Sequence, residues 1–180
     1  QRETAMIDES LAGHLHSVFG EGGDWAVVGG HAANLYRHDA RATVDTDILV
    51  SLDRRTMQEV REILADEGWA TRSMPEGGWL LRVAHPRYGS LDVIASETDY
   101  QRAALARAKV TMFGNIPLRA LAVEDVIIHK LIADRYKDEA DVDDILRTNP
   151  VLDGDYLGRW LDEWGVRERF ERIARRNRSG

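Results

Sequence analysis

The chain has 180 residues and a mass of 20.3 kDa, enough for one domain with a sizeable core. Hydrophobic residues make up 43% of it, mean hydropathy is −0.40, and no apolar run approaches the roughly 18 residues of a membrane-spanning helix, so such a helix is excluded. The lack of cysteine removes disulfide frameworks, thiolate zinc sites, iron–sulfur clusters and cysteine nucleophiles, and the net charge of −7 argues against a protein that coats nucleic acid through its overall field.

Residues about 6–19 carry Ile7, Leu11, Leu15 and Val18 at helical spacing and predict an amphipathic helix, ended by the turn Gly20–Gly23. Trp25–Val28 is a short apolar run stopped by Gly29-Gly30, after which Ala32, Leu35 and Tyr36 restart a helical period: strand, tight turn, helix. Thr43–Leu52 alternates, with Val44, Thr46, Ile48, Val50 and Leu52 on one face and Asp45, Asp47, Leu49 and Ser51 on the other. A helix over about 54–67 follows, and the apolar runs Trp79–Ala84 and Leu91–Ala95 flank His85-Pro86-Arg87-Tyr88-Gly89 as a hairpin. A helix near 98–106 and strands near 108–113 and 116–120 complete the mixed part. The rest reads as helices over about 123–135, 138–147, 154–164 and 167–176. The expected class is α+β, with residues 1–121 as the α+β core, residues 122–180 as a helical part packed on it, and a hinge near Leu121.

The chemistry concentrates in Val27-Val28-Gly29-Gly30-His31 and Thr43-Val44-Asp45-Thr46-Asp47-Ile48. The glycines let the backbone approach a ligand, and a helix beginning at His31 offers unpaired N–H groups to a phosphate. Alternatively, His31 is a partly exposed helix-start residue. Asp45 and Asp47, two apart on a strand, point the same way with Cα atoms about 6.8 Å apart, so their carboxylates converge on a common cation. A solvated strand end is the alternative, but two such charges repel by roughly 2 kcal/mol at an effective dielectric near ~20. Aspartate is also a poor strand residue, which favours a metal. Asp92, between Leu91 and Val93, either joins that site or forms the polar side of a half-buried strand.

These residues resemble the nucleotidyltransferase superfamily of DNA polymerase β-like enzymes in its minimal bacterial forms. The family pattern is a Gly-Gly or Gly-Ser turn opening a helix, Asp-x-Asp on the next strand and a third carboxylate on a later strand, matched here by Gly29-Gly30, Asp45-Thr46-Asp47 and Asp92. The resemblance implies a nucleotidyltransferase-like mixed sheet flanked by helices. It also implies two divalent ions, Mg²⁺ or alternatively Mn²⁺, on Asp45 and Asp47 with Asp92 sharing a metal and assisting the acceptor hydroxyl. Gly29, Gly30 and His31 would steady the triphosphate, although many members carry Ser where this chain has His31.

Lys130 falls within the apolar arc marked by Val123, Val126, Ile127 and Leu131. It either pairs with Asp134 one turn on or reaches an anionic site. With Lys137-Asp138-Glu139-Ala140-Asp141 it looks like the lysine helix and Lys-Asp-x-x-Asp segment of AbiEii-type nucleotidyltransferase toxins. That resemblance implies that Lys130 contacts the triphosphate and that Asp141 completes the active site; Asp138 and Asp141 also fit a helix cap and first-turn acid.

The six histidines never take a zinc-hydrolase spacing, and neither Gly-x-Ser-x-Gly nor a Walker A sequence occurs. Trp160 and Trp164 read as helix packing. The terminal Arg167, Arg169, Arg172, Arg175, Arg176 and Arg178 read as a solvated helix end or an RNA contact. No basic-then-apolar leader opens the chain, whose start at Gln1 is consistent with a trimmed terminus, and the expected compartment is cytoplasmic. The expected activity is transfer of an NMP from an NTP to an acceptor hydroxyl with release of pyrophosphate, by a toxin of a toxin–antitoxin pair acting on RNA such as a tRNA 3′ end. A cognate antitoxin is an expected partner; a membrane or DNA is not. The alternatives are a lincosamide- or aminoglycoside-type antibiotic nucleotidyltransferase, which Arg87-Tyr88-Gly89-Ser90-Leu91-Asp92 also resembles, and a catalytically silent binding module.

Overall fold

Apolar stretches such as Trp25–Val28 and the hairpin Leu80–Ala95 become strands of one mixed sheet in the computed structural model, which describes residues 6–178, the last without its side chain. The strands are β1 Trp25–Val28, β2 Asp45–Val50, β3 Ala70–Ser73, β4 Leu80–His85, β5 Gly89–Ala95, β6 Lys109–Phe113 and β7 Ile116–Ala120, in the sheet order β3-β4-β5-β2-β1-β7-β6. The helices are α1 Glu9–Phe19, α2 Gly29–Asn34, α3 Met57–Asp66, α4 Asp99–Arg107, α5 Val123–Ala133, α6 Asp138–Thr148, α7 Gly154–Glu163 and α8 Arg167–Arg178. The architecture is α+β, as expected.

β2 sits at the centre, antiparallel to β1 and parallel to β5. Its inner half, Ile48, Leu49 and Val50, is buried on both faces, whereas its first residues emerge at the sheet end. Burial thus pins the strand and leaves Asp45 and Asp47 at its open end. β3 was not expected: Ala70-Thr71-Arg72-Ser73 is exposed throughout, so an edge strand there has no apolar alternation to betray it. The glycine pair forms the first turn of α2 instead of preceding it.

α5 is buried on nearly every side, through Val126, Ile127, Ile128 and Leu131. Beside it Tyr156 donates to Asp125 Oδ1 at 2.6 Å, while Arg107 stacks over the Tyr156 ring at 3.8 Å and pairs with Glu124 at 3.0 Å. This partly buried cluster ties α4, α5 and α7 together. The C-terminal arginines are more than a solvated helix end: Arg169 pairs with Asp134 at 2.7 Å, and Arg172 and Arg176 both pair with Glu139. Asp134 and Glu139 thus offset part of the arginine end's charge; the Arg178 side chain lies outside the described residues.

Candidate active site

The register of the sheet brings three carboxylates to one end of one face. Asp47 on β2 lies opposite Asp92 on β5, and Asp45, two residues earlier on β2, points the same way. Burial, then Asp92, then Asp45 push the Asp47 carboxyl up to about 7, against the pull of Arg135 and Lys130. Asp92 Oδ2 accepts from Arg82 Nε at 3.1 Å, a partner on the neighbouring strand that fits either reading of this residue. Arg82 was missed in the sequence. The hairpin carried the signal, since pairing about its turn sets Arg82 on β4 directly opposite Asp92.

Gly29 has φ +64, and a Cβ there would sit 2.8 Å from Asp47 Cγ. A Cβ on Gly30 would sit 3.0 Å from Thr43 Oγ1. The glycines therefore let the start of α2 press against the Asp-x-Asp strand itself. His31 is buried, at 3% exposure, not partly exposed as one alternative held, because α2 tucks its side chain beneath the sheet end, where it lines the cleft behind Val44 and Thr46.

Lys130 does not pair with Asp134, whose φ of 48 closes α5 and whose carboxylate turns outward to Arg169. Its Nζ donates to Asp138 Oδ1 at 3.0 Å and to Asp141 Oδ2 at 2.8 Å, with all three residues buried. Asp138 also accepts from the Arg135 backbone N–H at 2.9 Å and from its Nε at 2.8 Å. Burial works to raise the Asp138 carboxyl, but the bonds from Arg135 and Lys130 outweigh it and hold it below the usual range. Asp141 Oδ1 is 3.2 Å from both Arg37 and Arg41. The Lys-Asp-x-x-Asp segment is thus the hub of a buried ion network joining α5, α6 and the chain after α2. Arg37, Arg41 and Arg135 were missed. Arg37 and Arg41 reach Asp141 only because the chain folds back, about a hundred residues apart in sequence, whereas Arg135 sits three residues before Asp138, a spacing that the sequence already offered.

A cavity of about 390 Å³ opens beside the carboxylates. Gly29, Asp47, Lys130 and Arg135 line one end, and Thr98, Gln101, Tyr100, His129 and Trp164 the other. Trp160 is buried as packing, whereas Trp164 is 41% exposed and is among the residues lining this cavity. A second cavity of about 260 Å³ shares Lys130 and holds Asp45, Arg41 and Lys137. A third, of about 770 Å³, lies against Thr46 and carries Arg72, Arg87, His85 and Tyr88.

Burial pushes the His129 imidazole down from 6.5 to about 4. On unfolding it regains its ordinary value, so between pH 6.5 and about 4 the unfolded chain binds more protons and stability is lost as pH falls. His129→Gln is expected to flatten that acid limb. Melting temperatures from pH 7 to 4 should fall less steeply in the variant than in the wild type.

No family model matches the chain, and no curated protein matches it in sequence. Solved structures do. The fold is similar to an antigenic nucleotidyltransferase-like protein from Paracoccidioides brasiliensis (TM-score 0.57, 19% identity, covering 91% of this chain and 88% of that one). It is also similar to the lincosamide antibiotic adenylyltransferase LnuA with lincomycin bound (0.56, 16%, 78% and 97%). The antibiotic-resistance factor ANT(2'')-Ia is a third (0.55, 13%, 97% and 100%). The chain has a nucleotidyltransferase-like fold.

Among the described residues no three carboxylate or imidazole groups are gathered into a metal-ligand set. The donors nevertheless fit Mg²⁺, which takes one or two carboxylates and completes its shell with water and substrate phosphate. Asp45 and Asp47 would supply that pair: burial first, and then the charges of Asp92 and Asp45, raise the Asp47 carboxyl, and a cation there would offset that mutual repulsion.

Proposed function

We propose that the protein transfers a nucleoside monophosphate from an NTP to an acceptor hydroxyl, releasing pyrophosphate. The observation that carries it is the alignment of Asp45, Asp47 and Asp92 at one sheet end, beside a cavity that joins Gly29 and Asp47 to Lys130 and Arg135. Asp45 and Asp47 would hold Mg²⁺, or Mn²⁺ in its place, whose chemistry when bound is to acidify the acceptor hydroxyl and offset triphosphate charge. Asp92, oriented by Arg82, would take the hydroxyl proton as the acceptor oxygen bonds to the α-phosphorus and the bond to the pyrophosphate oxygen breaks. Lys130 and Arg135 would draw the triphosphate to their end of the cavity, with Asp138 and Asp141 holding Lys130 in place. Gly29 and Gly30 would keep backbone close to the phosphates; His31 would act from behind β2.

For the acceptor, we favour RNA and a toxin paired with an antitoxin, acting in the cytoplasm. The resemblance of residues 123–146 supports it. The 770 Å³ cleft behind Asp45 supports it too, since Arg72, Arg87 and Tyr88 suit a polynucleotide better than a polycationic drug. The second reading, an antibiotic nucleotidyltransferase, is favoured by the likeness to LnuA and ANT(2'')-Ia. Incubation with each labelled NTP and Mg²⁺ against total RNA, lincomycin and an aminoglycoside separates them. Label is expected on RNA; label on a drug alone would establish the second. With no transfer and no Mg²⁺-dependent rise in melting temperature with any NTP, the chain is a silent binding module.

A further inference from the structure

The cavity beside the carboxylates has ends of opposite chemistry, and the far end is organised by one amide. Asp47 pairs with Asp92 and Leu49 with Ile94, so Ile94 lies about 6.8 Å further along the strands. The chain then runs on to Thr98 and Gln101, which line the cavity with it. A nucleotide whose phosphates lie by Asp47, Lys130 and Arg135 and whose base extends along the cavity would bring the base edge farthest from its sugar to Gln101. Trp164 and the uncharged His129 flank that end and offer flat surfaces to a base.

Gln101 is held in one orientation. It is the third residue of α4 and closes a capping box with Thr98. Its Oε1 accepts from the backbone N–H of Glu97 at 2.9 Å, from that of Thr98 at 3.0 Å and from Thr98 Oγ1 at 3.2 Å. Three donors at one end fix that end as the oxygen, so the other end is an NH₂ that can only donate.

We infer that Gln101 Nε2 reads the base of the bound nucleotide and selects a keto oxygen at purine C6 or pyrimidine C4. This rests on the nucleotidyl-transfer reading of the site. A keto oxygen accepts from the amide, whereas an amino group there sets donor against donor and leaves both unsatisfied. Hypoxanthine, guanine and uracil are selected over adenine and cytosine.

Calorimetry of the full chain with Mg²⁺ tests it through two pairs that differ at that edge, ITP against ATP and UTP against CTP. The keto member of each pair is expected to bind about tenfold more tightly. Gln101→Glu keeps the capping oxygen, because glutamate serves equally at this helix position, but exchanges the donor for an acceptor. It is expected to erase or invert the preference with little change in melting temperature. Trp164→Leu, which removes stacking surface alone, is expected to weaken all four nucleotides alike. Equal affinities within each pair, an amino preference in the wild type, or a preference unmoved by Gln101→Glu would overturn the base contact while leaving nucleotidyl transfer standing. Failure of the wild type to bind any of the four would overturn both.

Discussion

Asp45→Asn combined with Asp47→Asn is expected to reduce nucleotidyl transfer by about a thousandfold or more and to raise the melting temperature of the metal-free protein. The two effects share one cause. Asp47 is half-buried beside two other carboxylates, and its acidity is already suppressed to about 7 by desolvation and by Asp92 and Asp45. Asparagine has the same shape, so the close approach of Gly29 to this side chain survives, while the mutual repulsion goes. What is lost is the charge that would hold the cation. In the wild type Mg²⁺ with an NTP should raise the melting temperature, because a ligand bound only by the folded state stabilises it. In the double variant that rise should vanish. Undiminished label transfer by the double variant would sink the assignment of these aspartates.

The second large effect concerns the buried ion network. Asp141→Ala removes the carboxylate that faces Lys130 at 2.8 Å and Arg37 and Arg41 at 3.2 Å. Lys130 and the Arg37 side chain are buried, and stranding such charges costs about 3–5 kcal/mol. For a chain of this length that corresponds to a fall in melting temperature of about 10 °C. Lys130→Met is milder, because Asp138 keeps Arg135 and Asp141 keeps Arg37 and Arg41. The two changes share partners, so urea unfolding of the pair should show a combined loss smaller than the sum. An additive result would mean that Lys130 and Asp141 do not act on each other in the folded chain. At temperatures where both variants stay folded, Lys130→Met should still lose transfer, which separates its placement near the phosphates from its part in stability.

The local patterns carried much of the molecule. The period-two alternation of Thr43–Leu52 announced β2 with both aspartates on one face, and the turn at 85–89 announced the hairpin that carries Asp92. Helical spacing placed α5 and Lys130 upon it. Exposed β3 escaped because an edge strand needs no apolar face, and the helical first turn at Gly29 and Gly30 escaped because paired glycines read locally as a break.

Residue type, spacing and period are short-range properties, and they sufficed for the α+β class, for the paired carboxylates of β2 and for an anomalous lysine on an apolar helix. The partners of those charges were a different matter. Arg82 meets Asp92, and Lys130 meets Asp138 and Asp141, across the turn between neighbouring elements, whereas Arg169 against Asp134, Arg37 and Arg41 against Asp141, and the cavity that Gln101 and Trp164 line with Asp47 join segments distant in the chain. A charge in a sequence is a demand for compensation, and which group meets it is decided by where burial forces the chain to fold back upon itself.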